Sequence, residues 1–155
     1  STRMRVHSSV RSSTCTTCAI VPVYTGGELG QIYQISRDGT QRIVATTGGF
    51  TLGVAIDGKG NIHTCDCVRQ QILKVTPQGE VVVRASGIEV PNYGVFDAAG
   101  NYYFSDSGEY STAKGTGRIY VIRPDGYVLG RWRNGRDIDI AAIIDKALQQ
   151  TTRTA

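Results

Sequence analysis

Three segments of this chain repeat one pattern: QIYQISRDGT at 31–40, QILKVTPQGE at 71–80 and RIYVIRPDGY at 118–127. Each alternates apolar and polar residues and then meets Asp-Gly or Gln-Gly, which reads as a strand running into a tight turn. A second element recurs in step with it, IDGKGNIHTCD at 56–66 and FDAAGNYYFSD at 96–106. The anchors Ile32, Ile72 and Ile119 are spaced by 40 and 47 residues, and Asp57 and Asp97 by 40, which is the period of a four-stranded propeller blade. The pattern predicts an all-β chain: two nearly complete blades, preceded by the outer part of another, over residues 21–132. A blade cannot bury both of its faces alone, so an open arc leaves two apolar faces in need of cover. A second copy of the chain is the expected cover, in a homodimer.

Length and composition agree with a single domain that buries a real core: 155 residues, with 19 Gly and only 4 Pro, suit short strands joined by tight turns rather than disorder. No run approaches the roughly 20 apolar residues of a membrane-spanning helix, and the chain starts on polar residues. A soluble protein is expected, cytoplasmic and without a membrane partner. The net charge of +4 resides in the ends: residues 1–13 hold three arginines and no acid, and 131–155 hold five basic and three acidic residues. No stripe of basic and aromatic residues accompanies them, so solvated ends are expected rather than a nucleic-acid interface.

Residues 1–20, rich in Ser, Thr and Arg, show no period and read as a flexible leader. The second unit then runs LGVAID, NIHTCD, QILKVT and EVVVRA, and the third YGVFDA, NYYFSD, RIYVIR and YVLGRW. Aligning the two exposes an insertion, SGEYSTAKGTG at 107–117 against CVRQ at 67–70; such loops carry function as often as they are merely tolerated. In the C-terminal segment 133–155, Ile140, Ile143, Ile144, Ala147 and Leu148 fall at helical spacing, predicting one amphipathic helix over 137–150 that covers a blade face or a partner.

Few residues have the spacing of a chemical site. Cys15, Cys18, His63, Cys65 and Cys67 hold the donors for zinc, but Cys-x-Cys on a strand lacks the turn of a zinc knuckle. Reduced structural thiols fit better, and a Cys15–Cys18 disulfide stays open. His63 reads as a strand side chain on a half-buried face rather than a general base, and no Gly-x-Ser-x-Gly elbow is present. Asp57 and Asp97 precede Gly-rich turns, where a carboxylate accepts backbone hydrogen bonds, and Asp66 and Asp106 end equivalent strands. Their repetition points to architecture. The aromatic residues Tyr102, Tyr103, Phe104, Tyr110, Tyr120 and Tyr127 crowd the third unit and are expected to pack between blades or at an interface.

GQIYQISRDG at 30–39, FTLGVAIDGKGNI at 50–62, VPNYGVFDAAGNYYFSDSGEY at 90–110 and GRIYVIRPDG at 117–126 resemble the gluconolactonase, senescence-marker protein and strictosidine-synthase-like group of six-bladed propellers, over roughly residues 22–128. The resemblance implies that the chain is half of such a ring, completed by a homodimer. It also implies an axial divalent cation, often calcium or zinc, held by a Glu, an Asn and an Asp from the inner-strand starts of different blades. Pro91-Asn92-Tyr93-Gly94 resembles the family's Pro-Asn-Asp-Gly, whose Asn faces the substrate; Tyr93 stands where the family has an acid. The matching place one unit earlier holds Thr51, a poor ligand. The blades that deliver the metal ligands would precede Val21 or follow Trp132. Calcium takes about six to eight oxygens and zinc three or four protein ligands, so Asn92 alone makes no site, and two copies need acids such as Asp66, Asp106 or Glu109 to converge.

The sequence therefore predicts a propeller-type binding module for a small-molecule ligand, contacted by Asn92, Tyr93, Thr51 and Glu109. No cofactor is required and no catalytic residue stands out. The alternative is a lactone or ester hydrolase whose calcium or zinc site forms on the axis of the dimer, and a third reading is a relic without selected activity.

Overall fold

The structure, a computed structural model, describes residues 22–109 and 115–133. The expected leader, the 137–150 helix, Cys15, Cys18 and Tyr110 lie outside the described residues. Among the described residues, eleven strands form three antiparallel meanders. Blade 1 contains β1 (Val23–Gly26), β2 (Gln31–Ile35) and β3 (Gln41–Thr46). Blade 2 contains β4 (Thr51–Ile56), β5 (Ile62–Asp66), β6 (Gln71–Val75) and β7 (Val81–Ser86). Blade 3 contains β8 (Pro91–Phe96), β9 (Tyr102–Asp106), β10 (Arg118–Ile122) and β11 (Val128–Arg133). The three anchor isoleucines fall in β2, β6 and β10, as the repeat requires.

Period-two alternation sends each strand's apolar residues to both blade faces, and the core lies between blades rather than within one. Ile32 and Ala45 of blade 1 meet Ile62 and Val75 of blade 2, with Tyr24, Val44 and Val54 around them. Cys65, Ile72 and Ile88 meet Tyr102, Phe104 and Ile122 of blade 3. An aromatic ladder runs through this second interface: Phe96 to Tyr102 at 4.7 Å, Tyr102 to Phe104 at 5.8 Å and Phe104 to Tyr120 at 5.0 Å between centroids. At roughly 1.5–3 kcal/mol per large side chain buried, these contacts together exceed the roughly 0.5–1.5 kcal/mol of an ordinary hydrogen bond.

The repeated acids are structural. Asp57 accepts from the backbone N–H of Lys59 and of Asn61, both at 2.9 Å, and from the Asn61 side chain at 2.8 Å. Asp97 repeats the arrangement with Asn101. Asp66 and Asp106, 0% and 1% exposed, fasten the loop that enters their own blade's first strand. Asp66 Oδ1 accepts from the N–H groups of Phe50 and Arg69, each at 3.0 Å, and Oδ2 from the Thr47 hydroxyl at 2.6 Å. Asp106 Oδ1 accepts from Val90 N at 2.8 Å and Gly108 N at 3.0 Å, while Arg118 reaches Oδ2 at 3.2 Å.

The innermost strands β4 and β8 approach closely at Gly53. A Cβ there would lie 2.5 Å from Asn92 O and 2.8 Å from Tyr93 Cα. Because both contacts are backbone, Gly53→Ala is expected to cost about 1–3 kcal/mol, read as a lower urea midpoint at an unchanged slope. Among the described residues no helix is long and apolar enough to cross a membrane.

Candidate functional site

The sequence places its candidate ligand residues at the starts of β4 and β8 and in the insertion that follows β9. Asn92 is half-buried, and its Nδ2 donates to Ser107 Oγ at 3.0 Å. Ser107 is itself held by its backbone N–H, which donates to Val90 O at 2.9 Å. Beside it, Tyr93 is 70% exposed, and its backbone N–H and C=O both meet Ser105 Oγ, at 3.3 and 3.4 Å. The result is a small polar patch of an amide and two hydroxyls at the start of β8, with the exposed Tyr93 as the next residue of the strand. Ser107 escaped notice in the sequence; its signal was its position as the first residue of the insertion.

Thr51 does not join this patch. Its side-chain oxygen accepts from Gly27 N at 2.9 Å and lies 3.2 Å from Gly27 O and 3.3 Å from Gln31 O, so the hydroxyl is spent on blade 1. At 4% exposure it is a blade-to-blade fastener rather than a ligand contact. Glu109 is exposed, and its N–H donates to Thr116 Oγ1 at 2.8 Å, tying the two described ends of the insertion together two residues beyond Ser107. Residues 110–114 between those ends lie outside the described residues.

The fit of these residues to an axial calcium or zinc is poor. The carboxylates of Asp66 and Asp106 lie beside the inner-strand starts, but they are buried and their oxygens are taken by backbone N–H groups, the Thr47 hydroxyl and Arg118. Among the described residues no group of three or more His, Cys, Asp and Glu side chains comes together to hold a metal ion. Cys65 is buried, and burial pushes its thiol up to about 11; Cys67 is raised as well, by burial and by Asp66. Both are free thiols in poor condition to act as nucleophiles or ligands.

A second polar cluster lies between blades 2 and 3. His63, expected on a half-buried face, is 2% exposed because Phe96 and Tyr102 of the next blade close over it, at 4.8 and 5.6 Å between centroids. Arg84 donates to its Nδ1 at 3.0 Å, and Nε2 lies 3.1 Å from Asp57 Oδ2. A guanidinium only donates, so Nδ1 accepts, and the ring is the neutral tautomer donating through Nε2 to Asp57. Burial, then the charge of Arg84, bring His63 down to about 4 in spite of Asp57. Burial opposes ionisation of Asp57, but bonds from Asn61, His63 and two backbone N–H groups prevail and leave it at about 2. Arg84 continues across the interface, donating to Arg123 O at 3.1 Å and lying over the Phe96 and Tyr102 rings at 5.6 and 5.3 Å. Nothing local in the sequence around Arg84 marks this role, because its partners across the interface come from a different blade.

No protein-family model and no curated protein matches the chain. Solved structures do. A gluconolactonase from Xanthomonas campestris superposes with a TM-score of 0.60 at 21% identity, over 74% of this chain and 43% of its own. A chain of the nidogen/laminin complex gives 0.61 at 22%, over 74% and 45%. The virginiamycin B lyase of Staphylococcus aureus gives 0.55 at 14%, over 80% and 45%. The chain has the fold of a β-propeller segment. It spans less than half the length of each of these neighbours, and its three sheets have the form of propeller blades. Gluconolactonases are among the propellers it matches, as the sequence resemblance leads one to expect. A lyase and a chain of the nidogen/laminin complex share the same fold, so the fold by itself selects no chemistry.

Proposed function

We propose that this chain is a propeller-type binding module for a small polar ligand, held at the start of β8 by the Asn92 side chain and the exposed Tyr93 ring. The observation that carries the reading is the state of Asn92. Its Nδ2 is fixed by Ser107, so the amide is oriented in advance, while its Oδ1 takes no hydrogen bond from a described residue. An oriented acceptor suits a hydroxylated compound whose hydroxyl donates to Oδ1, and the exposed Tyr93, next along the strand, offers an aromatic surface to a ligand large enough to reach it. The carboxylates of the repeat are occupied in holding loops, which leaves the described patch with recognition chemistry and no acid, base or nucleophile.

Titration of the protein with sugar lactones and the corresponding sugar acids, followed by amide chemical shifts, tests this. Asn92→Ala is expected to weaken binding about tenfold, the effect of one hydrogen bond worth about 1.4 kcal/mol, with little change in stability. Absence of any binding, or an unchanged affinity in Asn92→Ala, removes the reading.

A lactone or ester hydrolase is the second reading, favoured by the gluconolactonases among the structural neighbours. It requires metal ligands from beyond the described residues, on a second copy or elsewhere in the protein. Turnover of sugar or fatty-acyl lactones in the presence of Ca²⁺, Zn²⁺, Mn²⁺ or Mg²⁺, abolished by Asn92→Ala, would replace the binding module with the enzyme.

A further inference from the structure

Resting on the reading that Asn92 contacts the ligand, we infer that the Ser107 hydroxyl is the second contact, and that the pair selects a neutral vicinal diol over a single hydroxyl or an anion. Three serine and threonine hydroxyls of blade 3 lie on β9 and in the described ends of the insertion: Ser105, Ser107 and Thr116. Ser105 Oγ accepts from Tyr93 N at 3.3 Å and donates to Tyr93 O at 3.4 Å. Thr116 Oγ1 accepts from Glu109 N at 2.8 Å and donates to Glu109 O at 3.5 Å. In both, the one hydroxyl hydrogen has its acceptor. Ser107 Oγ accepts from Asn92 Nδ2 at 3.0 Å, and its own hydrogen meets no acceptor among the described residues.

Asn92 Oδ1 and the Ser107 O–H therefore stand side by side, one to accept and one to donate. They are joined through the Asn92 amide carbon and a single hydrogen bond, so a ligand engages both only with two oxygens held close together. Hydroxyls on neighbouring carbons meet that condition: one donates to Oδ1 while the other accepts from Ser107. A lone hydroxyl reaches one of the two and leaves the other without a partner. The pair is also particular to blade 3. Features that serve the fold, such as Asp66 and Asp106, recur from unit to unit, whereas the positions of Asn92 and Ser107 one unit earlier hold Leu52 and Cys67.

A hydroxy acid has the same two oxygens, and the charges around the patch decide against it. Glu89 lies just before β8, Asp106 precedes Ser107 and Glu109 follows it. Arg118, the cation at this end of β10, is held between Glu89 at 3.1 Å and Asp106 at 3.2 Å. Three carboxylates against one guanidinium repel an anion, most strongly at low salt.

Amide chemical shifts followed during titration with four plain probes test this. cis-Cyclohexane-1,2-diol is expected to bind about tenfold more tightly than cyclohexanol, the effect of one further hydrogen bond. Sorbitol is expected to bind more tightly than gluconate, the same chain with one end oxidised, by a margin that narrows as salt is added. In Ser107→Ala the diol is expected to lose its advantage over cyclohexanol, whereas Ser107→Thr, which keeps the hydroxyl, retains it. The bond from Ser107 N to Val90 O at 2.9 Å belongs to the backbone and is open to both variants, and dispersed amide spectra show that they fold. Equal affinity for diol and alcohol overturns the inference. So does a Ser107→Ala that weakens the two probes alike, which would make Ser107 a support for Asn92 and nothing more, or gluconate bound more tightly than sorbitol. If Asn92→Ala still weakens the probes in those cases, the binding module stands without the diol; no shift with any probe removes both.

Discussion

Lowering the pH from 7 to 4 is expected to remove about 3 kcal/mol of folding stability through His63. The unfolded chain takes up a proton on this residue near its ordinary 6.5, whereas the folded chain resists until about 4. Because the folded value is the lower one, the stability contributed by His63 is full above pH 6.5, declines as the pH falls below it, and is gone below 4. Protonation puts a hydrogen on Nδ1, where Arg84 already donates at 3.0 Å, so a hydrogen bond becomes a contact between two cations. Arg84 also bridges to Arg123 O on blade 3, and its displacement loosens blade 3 from blade 2. Lys74 adds its charge on the same side, and Asp57 alone opposes. Tyr102 and Cys65, which also lie in this interface, are both raised by burial and stay neutral through this range. The check is the urea midpoint measured at intervals between pH 7 and 4. In His63→Gln, an amide that accepts and donates without titrating, the midpoint is expected to start lower and to stay level down to pH 4. Equal slopes in the two proteins would show that the acid sensitivity comes from elsewhere.

This histidine marks the boundary of what the sequence reveals. Turns and strands are local, written in alternation and in Asp-Gly or Gln-Gly pairs, and the three meanders follow from them. The aspartates were legible as architecture because each occurs in every comparable repeat, and Asp66 and Asp106 bond to equivalent backbone groups. What a residue touches across an interface is not written locally. Thr51 looks like an inner-strand residue free to meet a ligand, and only the approach of Gly26 and Gly27 takes its hydroxyl for blade 1. Tyr103 and His63 occupy equivalent positions and both meet the aspartate of their own turn, at 3.1 Å, yet one lies on the outer face of the arc and the other under a neighbouring blade. The repeat alone places both on a strand face and does not separate them. The aromatic crowd in the third unit divides in the same way: Tyr102, Phe104 and Tyr120 pack on blade 2, while Tyr127 is 73% exposed at a turn.

The largest single loss is expected from Tyr102→Ala, about 3–5 kcal/mol, a substantial part of the roughly 5–15 kcal/mol that holds a domain together. Tyr102 is 0% exposed and lies in the middle of the aromatic ladder, between Phe96 and Phe104, with Arg84 over its ring. Its hydroxyl end fills the space that Gly94 leaves open, and among the described residues the polar contact of that hydroxyl is the Cys65 thiol at 3.7 Å. The ring therefore contributes far more than the oxygen. Truncation leaves a cavity that rigid neighbouring strands close only in part, and it removes the surface on which Arg84 rests. Tyr102→Phe keeps the ring and is expected to cost less than about 1 kcal/mol, because an S–H to O contact at that distance is a weak hydrogen bond. The urea midpoints of the two variants decide the matter. A large loss in Tyr102→Phe would mean that the hydroxyl, and not the packing of blade on blade, holds this interface together.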